Sequence, residues 1–229
     1  MTFDPFNDFE TRGYLHNRLG EKDPAIVKYL EHRSFTRKID AAFEYLSSVE
    51  HLSYEDVLHT HKILFGDVYP WAGEDRARTA PDLAVNKGGV MFSHPADSGA
   101  AVDYALKLGS DKSRMAQRPG EIMGYLAYGH PFLDGNGRTI MVIHAELAER
   151  AGISIAWDKT DKAAYLTALT QEIDDPGAGR LDAYLKPYIR KAVGADFRAE
   201  NVARTRGLGQ PEDGRKKQKG LKKTQYTSG

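Results

Sequence analysis

The 229-residue sequence predicts an all-α fold: a helical bundle around one central buried helix, with a small β-hairpin flap. Three observations carry that prediction. Apolar residues recur at the helical period in most segments between about 35 and 193. The segment 137–151 is apolar nearly all round, as expected of a helix enclosed by its neighbours. One stretch, TAPDLAVNKGGVMFS at 79–93, breaks the period with short apolar runs around Asn86-Lys87-Gly88-Gly89, the pattern of two strands and a loose turn.

The elements follow in order. Ile39, Phe43, Leu46 and Val49 mark one face of a helix near 35–50. Ser53 followed by Asp56 reads as a capped start for a helix over 54–65. After the flap, Val102, Ala105 and Leu106 face inward from a helix at about 97–108. Ile122, Tyr125 and Leu126 do the same at 119–129. The central helix, with Ile140, Val142, Ile143 and Leu147, stops at Gly152, a residue suited to a left-handed C-terminal cap. Two more helices are expected near 160–173 and 180–193, the second kinked at Pro187. The chain shows no internal repeat. It divides into one folded domain over 1–198, with its core at about 54–193, and a tail over 199–229.

Composition narrows the function classes. Hydrophobic residues make up 41% and charged residues 28%, enough apolar content for a real core. There is no cysteine, which excludes disulfides and thiolate metal sites and suits a cytoplasmic compartment. No apolar run has the form of a signal peptide or a membrane span, although an exported effector would look the same. The net charge is zero but unevenly spread. From Arg204 onward there are eight Lys or Arg and two acids, so this end carries about +6 and the rest about −6. Such a polar, basic stretch is expected to be disordered, and contact with nucleic acid or an acidic partner is one use for it.

The chemistry concentrates in HPFLDGNGRT, 130–139. Proline after His130 pushes that residue out of helical geometry, so the histidine sits at a helix C-terminus, where the dipole favours its protonated form. A neutral imidazole there can take a proton from a hydroxyl. Phe132 reads as an anchor for the loop. Gly135-Asn136-Gly137 leads into the central helix. Its successive N–H groups before a helix N-terminus form an anion nest, and Arg138 adds a fixed charge for phosphate oxygens. Asp134 beside an anion site makes sense as a magnesium ligand. Base, nest, cation and carboxylate describe a phosphate-handling site with a proton acceptor.

H-P-F-x-D-G-N-G-R resembles the signature of the Fic family. LFGDVYPWAGEDRART at 64–79 is similar to the segment before the flap in those proteins. Lys87, Gly88, Gly89 and Phe92 resemble the flap itself, and GYLHNRLGEKDP at 13–24 resembles the N-terminal stretch of stand-alone bacterial Fic toxins. The resemblance covers about residues 10–195. It implies a helical protein adenylyltransferase that moves AMP from Mg2+-bound ATP to a target hydroxyl and releases pyrophosphate. His130 would be the general base, Asp134 the Mg2+ ligand, and Gly135, Asn136, Gly137 and Arg138 the phosphate grip. The flap would align the target by strand addition. By resemblance the target is DNA gyrase B or a topoisomerase IV subunit.

One position departs from the family string. G-N-G-R-x-x-R often ends in a second arginine, and here that position is Met141. In relatives this arginine contacts the terminal phosphate and pairs with an inhibitory glutamate. Transfer of another group (UMP, GMP, phosphate or phosphocholine) and an inactive nucleotide-binding regulator therefore stay open as alternatives. No glutamate fits the inhibitory pattern S/T-x-x-x-E-G/N. The nearest, Glu200-Asn201, has Asp196 in place of the hydroxyl residue, so a separate small antitoxin with an inhibitory glutamate helix is expected. His59 and His61 lie on nearly opposite helix faces and do not form a metal pair. His144 lies on the central helix, either lining the site or in the core. Trp71 reads as a packing anchor, and Arg76 and Arg78 as either site cations or a solvated pair.

Overall fold

The computed structural model describes residues 15–87 and 89–205. Ten α-helices and two small antiparallel sheets make up the described chain. Helix α1, Pro24–Ser48, starts earlier than its apolar face suggested. Asp23 caps it by accepting from the Ala25 N–H at 2.8 Å, and Pro24 opens it. Lys28, Glu31, His32 and Arg33 crowd its first turns and mask the helical stripe there. Its C-terminal end is closed from outside. The Arg150 guanidinium donates to the carbonyls of Leu46, Val49 and Glu50 at 2.7–2.9 Å.

Helix α2, Tyr54–Phe65, begins where expected, with the Asp56 carboxylate accepting from the Ser53 N–H at 2.8 Å. The short α3, Arg76–Thr79, leads to the flap, in which β1 (Asn86–Lys87) pairs with β2 (Val90–Met91). Helices α4 (Ser98–Ser110), α5 (Lys112–Gln117) and α6 (Pro119–Gly129) follow. Then comes α7, Asn136–Arg150, the central helix. Residues 138–144 of α7 are all buried, as its sequence required. It packs against α1, α2, α4, α5, α6 and, near the C-terminus, α10 (Arg198–Ala203). Around it Phe35, Phe65, Phe132 and Trp157 are fully enclosed, each contributing roughly 1.5–3 kcal/mol by leaving water.

The C-terminal third corrects two expectations. Beyond α8, Lys162–Asp174, the helix expected over 180–193 ends early. Helix α9 covers only Arg180–Leu185, a tight turn holds Pro187, and Ile189–Lys191 is a strand, β4. Proline has no N–H and its ring clashes one turn back, so it ends the helix rather than kinking it. Strand β4 pairs with β3, Ile153–Ile155, in a second small sheet that three-residue strands were too short to announce. The tail boundary also moves. Helix α10 buries Val202 and is tied down where the Asn201 amide donates to the Ile155 carbonyl at 2.9 Å. The folded part therefore runs past residue 198. The basic stretch from 206 and residues 1–14 lie outside the described residues. Among those described, no helix is long and apolar enough to cross a membrane.

Candidate active site

Helix α6 delivers His130. The histidine is its C-cap, at φ 39° and ψ 54°, in the left-handed region rather than the extended one usual before proline. That conformation costs a non-glycine residue roughly 1–2 kcal/mol and needs support. Arg76 supplies it. Fully buried, its Nε–H donates to the His130 carbonyl at 2.7 Å, Nη1 to Leu83 at 2.9 Å and Nη2 to Ser93 at 2.9 Å. Its backbone N–H donates to the Pro131 carbonyl at 2.6 Å. Phe92, at the end of the flap, packs over the imidazole with ring centroids 4.2 Å apart. Arg76 is thus a clamp on the histidine loop, whereas Arg78 lies exposed near Glu74.

The loop between α6 and α7 is closed by its own residues. The Asn136 side chain accepts from the Phe132 N–H at 2.9 Å and donates to the Phe132 carbonyl at 2.6 Å. Phe132 stacks on His61 at 3.7 Å. The His61 Nδ1 accepts from the Gly73 N–H at 2.9 Å, so its Nε2 carries the hydrogen and donates to the Asp134 carbonyl at 3.1 Å. Burial holds this ring neutral, lowering its pKa to about 3. His61 is therefore a strut under the loop.

At Gly135 the chain turns with φ 78°, and a Cβ there would meet Phe65 at 2.8 Å and His61 at 3.0 Å. Helix α7 then starts with no side-chain cap from Gly135, so the N–H groups of Asn136, Gly137 and Arg138 in its first turn have no intrahelical partner. Gly137 is open, with nothing within 4 Å of where a Cβ would be. Arg138 is only 5% exposed. Its Nη2 lies 3.1 Å from Glu31 and 3.9 Å from Asp134, and its face covers Phe65 at 4.6 Å. Its Nη1 is buried without a hydrogen-bond partner among the described residues.

The structure thus brings His130, Asp134, Gly135, Asn136, Gly137, Arg138 and Phe92 around one loop. The Asn136 side chain locks the loop through Phe132, while its backbone N–H lies in the first turn of α7. Gly89 turns the flap at φ 86°, while Gly88 lies outside the described residues, as do details of the Lys87 side chain. Met141 is buried and brings no charge. His144 is a core residue, its Nε2 on the Pro119 carbonyl at 2.8 Å and its pKa lowered to about 4 by burial. Trp71 is a buried anchor, its indole donating to the His16 carbonyl at 3.0 Å. Sequence reasoning missed the supports Glu31, Phe65 and Tyr69. Glu31 left one trace: it falls on the stripe of Val27 and Phe35, four residues from each, where a charge is out of place.

Residues 51–148 match the model of the Fic/DOC family. These residues form a Fic domain. It is 33% identical over 178 residues to the protein adenylyltransferase VbhT of Bartonella schoenbuchensis, covering 69% of this chain and 34% of that protein. It is 29% identical over 119 residues to the probable protein adenylyltransferase y4lH of Sinorhizobium fredii, covering 48% of this chain and 59% of the relative. The chain therefore spans about a third and about three-fifths of these two relatives. The Fic fold recurs in BepC of Bartonella tribocorum, with bound AMPPNP, at TM-score 0.62 and 18% identity over 77% of this chain and 92% of that one. An N-terminal Fic domain of Bartonella quintana with bound ADP gives TM-score 0.64 and 19% identity over 80% and 94%.

Proposed function

We propose that this Fic chain is a protein adenylyltransferase, moving AMP from Mg2+-bound ATP to a Ser, Thr or Tyr hydroxyl of a target protein. One observation carries the reading. A histidine whose backbone carbonyl is clamped by Arg76 and whose ring packs on Phe92 precedes by six residues an uncapped helix start, which carries a buried arginine whose Nη1 has no hydrogen-bond partner among the described residues. Both curated relatives are named for this activity, and two neighbours of the same fold hold adenine nucleotides.

The geometry suits nucleotidyl transfer. The target hydroxyl oxygen attacks the α-phosphorus in line, and its proton passes to His130. The bond to the β-phosphate oxygen breaks, and pyrophosphate leaves with that electron pair. The first-turn N–H groups of α7 and the Arg138 Nη1 meet the charge that gathers on the phosphate oxygens, from fixed positions that need no reorganisation. The flap, Asn86–Met91, would hold the target segment as an added strand. A magnesium ion would be held by Asp134, whose side chain is 43% exposed beside the nest. No group of three or more ligating side chains exists among the described residues, so phosphate oxygens and water would complete its shell. When bound, that ion supplies charge compensation to the polyphosphate.

Met141 favours one second reading, a different donor or transferred group, because the terminal phosphate lacks the family's second arginine. A separate small antitoxin supplying a glutamate helix would control the enzyme. Glu200 does not serve that end: it sits on α10, which packs near Glu146, about 15 Å along α7 from the nest. Gyrase B and topoisomerase IV subunits are the targets to try first. The test is label transfer with Mg2+ and ATP labelled at the α- or γ-phosphate, with other nucleotides and the His130→Ala variant in parallel. Label from α alone, absent in His130→Ala, is the expected result. Transfer from γ, or from another nucleotide, would replace the adenylyl reading.

A further inference from the structure

Glu31 lies on α1, far before the motif in the chain, yet its carboxylate is the nearest charged partner of the phosphate-gripping arginine. It is 1% exposed. The Arg138 Nη2 lies 3.1 Å from its Oε1, the Tyr69 hydroxyl donates to the same oxygen at 2.8 Å, and Lys28 Nζ lies 3.4 Å from Oε2. Burial and the Glu31 charge push the Tyr69 pKa well up, so the hydroxyl stays protonated and keeps donating. Arg138 is held on two further sides, by the Phe65 ring against its face and by Asp134 at 3.9 Å from the same Nη2.

Resting on the phosphate-site reading above, we propose that Glu31 is a positioning residue for Arg138. It fixes the guanidinium so that Nη1, the buried donor without a partner among the described residues, faces the triphosphate. The geometry separates two carboxylates by role. Asp134 is half-exposed and distant enough to leave Arg138 when a ligand arrives. Glu31 is buried, anchored by Tyr69 just beyond α2, and stays. A guanidinium whose Nη2 and face are already engaged can rotate little, and a planar fork held in one orientation loses little freedom on binding. Glu31 touches no reacting atom.

The test measures binding of inorganic tripolyphosphate and of adenosine to the full chain by calorimetry, beside transfer kinetics. Glu31→Gln keeps the shape and removes the charge. The expected result is tripolyphosphate affinity and KM for ATP about tenfold weaker, with adenosine binding unchanged. Tyr69→Phe, which frees one side of Glu31 without touching Arg138, should weaken tripolyphosphate by about threefold, and it serves if Glu31→Gln does not fold. In a cycle with Arg138→Lys, Glu31→Gln should add almost nothing, since the fork it orients is gone. Full tripolyphosphate affinity in a folded Glu31→Gln or Tyr69→Phe protein, or simple additivity with Arg138→Lys, overturns the proposal. If Arg138→Ala itself leaves tripolyphosphate binding intact, the phosphate-site reading fails and takes this inference with it.

Discussion

Arg76 and His130 are joined by a buried hydrogen bond of 2.7 Å from the guanidinium Nε–H to the histidine carbonyl. The same side chain reaches Leu83 and Ser93, so one residue ties the base to both ends of the flap segment. Arg76→Ala would leave three carbonyls without their donor and a left-handed histidine without its clamp. The expected loss is at least about 3 kcal/mol of stability, read by denaturant melts. Arg76→Lys keeps the charge but has one donor nitrogen for three acceptors. It should fold, hold ATP with little change in KM, and lose more than about tenfold in kcat, because only the placement of the base suffers. Unchanged turnover in Arg76→Lys would show that the fork does not set the histidine.

Two buried histidines make stability depend on acid. Desolvation lowers His61 to about 3 and His144 to about 4, against an ordinary value of 6.5 for each ring. Between those values and 6.5 the unfolded chain binds protons that the folded chain refuses, so stability rises with pH across that window and falls on acidification. Each ring contributes a slope approaching about 1.4 kcal/mol per pH unit in the middle of its window. Denaturant midpoints taken from about pH 7 down to about pH 4.5 should fall less steeply in His61→Gln and in His144→Gln than in the unaltered chain. Parallel curves would mean that the rings are not held neutral.

Much of this site could be read in the sequence because its parts are local. His130 through Arg138 form one short run, and proline, glycines and a helix start each impose their geometry over one or two bonds. The central helix was equally plain, since apolar residues on every side leave it nowhere but inside. What escaped was tertiary. Glu31 and Phe65 meet Arg138, and Tyr69 meets Glu31, only because α1 and α2 pack on α7, and nothing in their local spacing points to a cation far along the chain. Strands of three residues, Ile153–Ile155 and Ile189–Lys191, carry too little alternation to outweigh a neighbouring helical pattern. The end of α9 shows the limit from the other side: Leu181, Tyr184, Leu185 and Tyr188 keep helical spacing up to and past the proline that stops the helix.

The two motif glycines should fail in different ways. Gly135 has positive φ and no room, with Phe65 only 2.8 Å from where a Cβ would stand. Gly135→Ala should lower stability by about 1–3 kcal/mol and weaken activity with it. Gly137 has ordinary helical backbone and empty space around it. Gly137→Ala should melt like the unaltered chain, or slightly higher, yet lose at least about tenfold in ATP affinity, since the new methyl occupies the approach to the α7 N–H groups. Paired melting and calorimetry separate the two. Equal ATP affinity in Gly137→Ala would move the anion away from this turn.

Phe92 connects the flap to the base. Its N–H donates to the Val85 carbonyl at 3.0 Å, closing the hairpin, while its ring lies 4.2 Å from the His130 ring. Any shift of the flap is therefore felt at the imidazole. When His130 takes the hydroxyl proton it becomes a cation against an aromatic neighbour, an interaction worth about 0.5–2 kcal/mol. Phe92→Leu keeps apolar packing and removes the ring electrons, whereas Phe92→Ala removes both. The expected order of kcat is native, then Leu lower by about threefold, then Ala lower by more than about tenfold, with KM for ATP nearly constant because neither change touches the α7 nest. Initial rates of labelled-AMP transfer at saturating target would show it. Native kcat in the leucine variant would reduce Phe92 to packing alone, and native kcat in the alanine variant would detach the flap from the base.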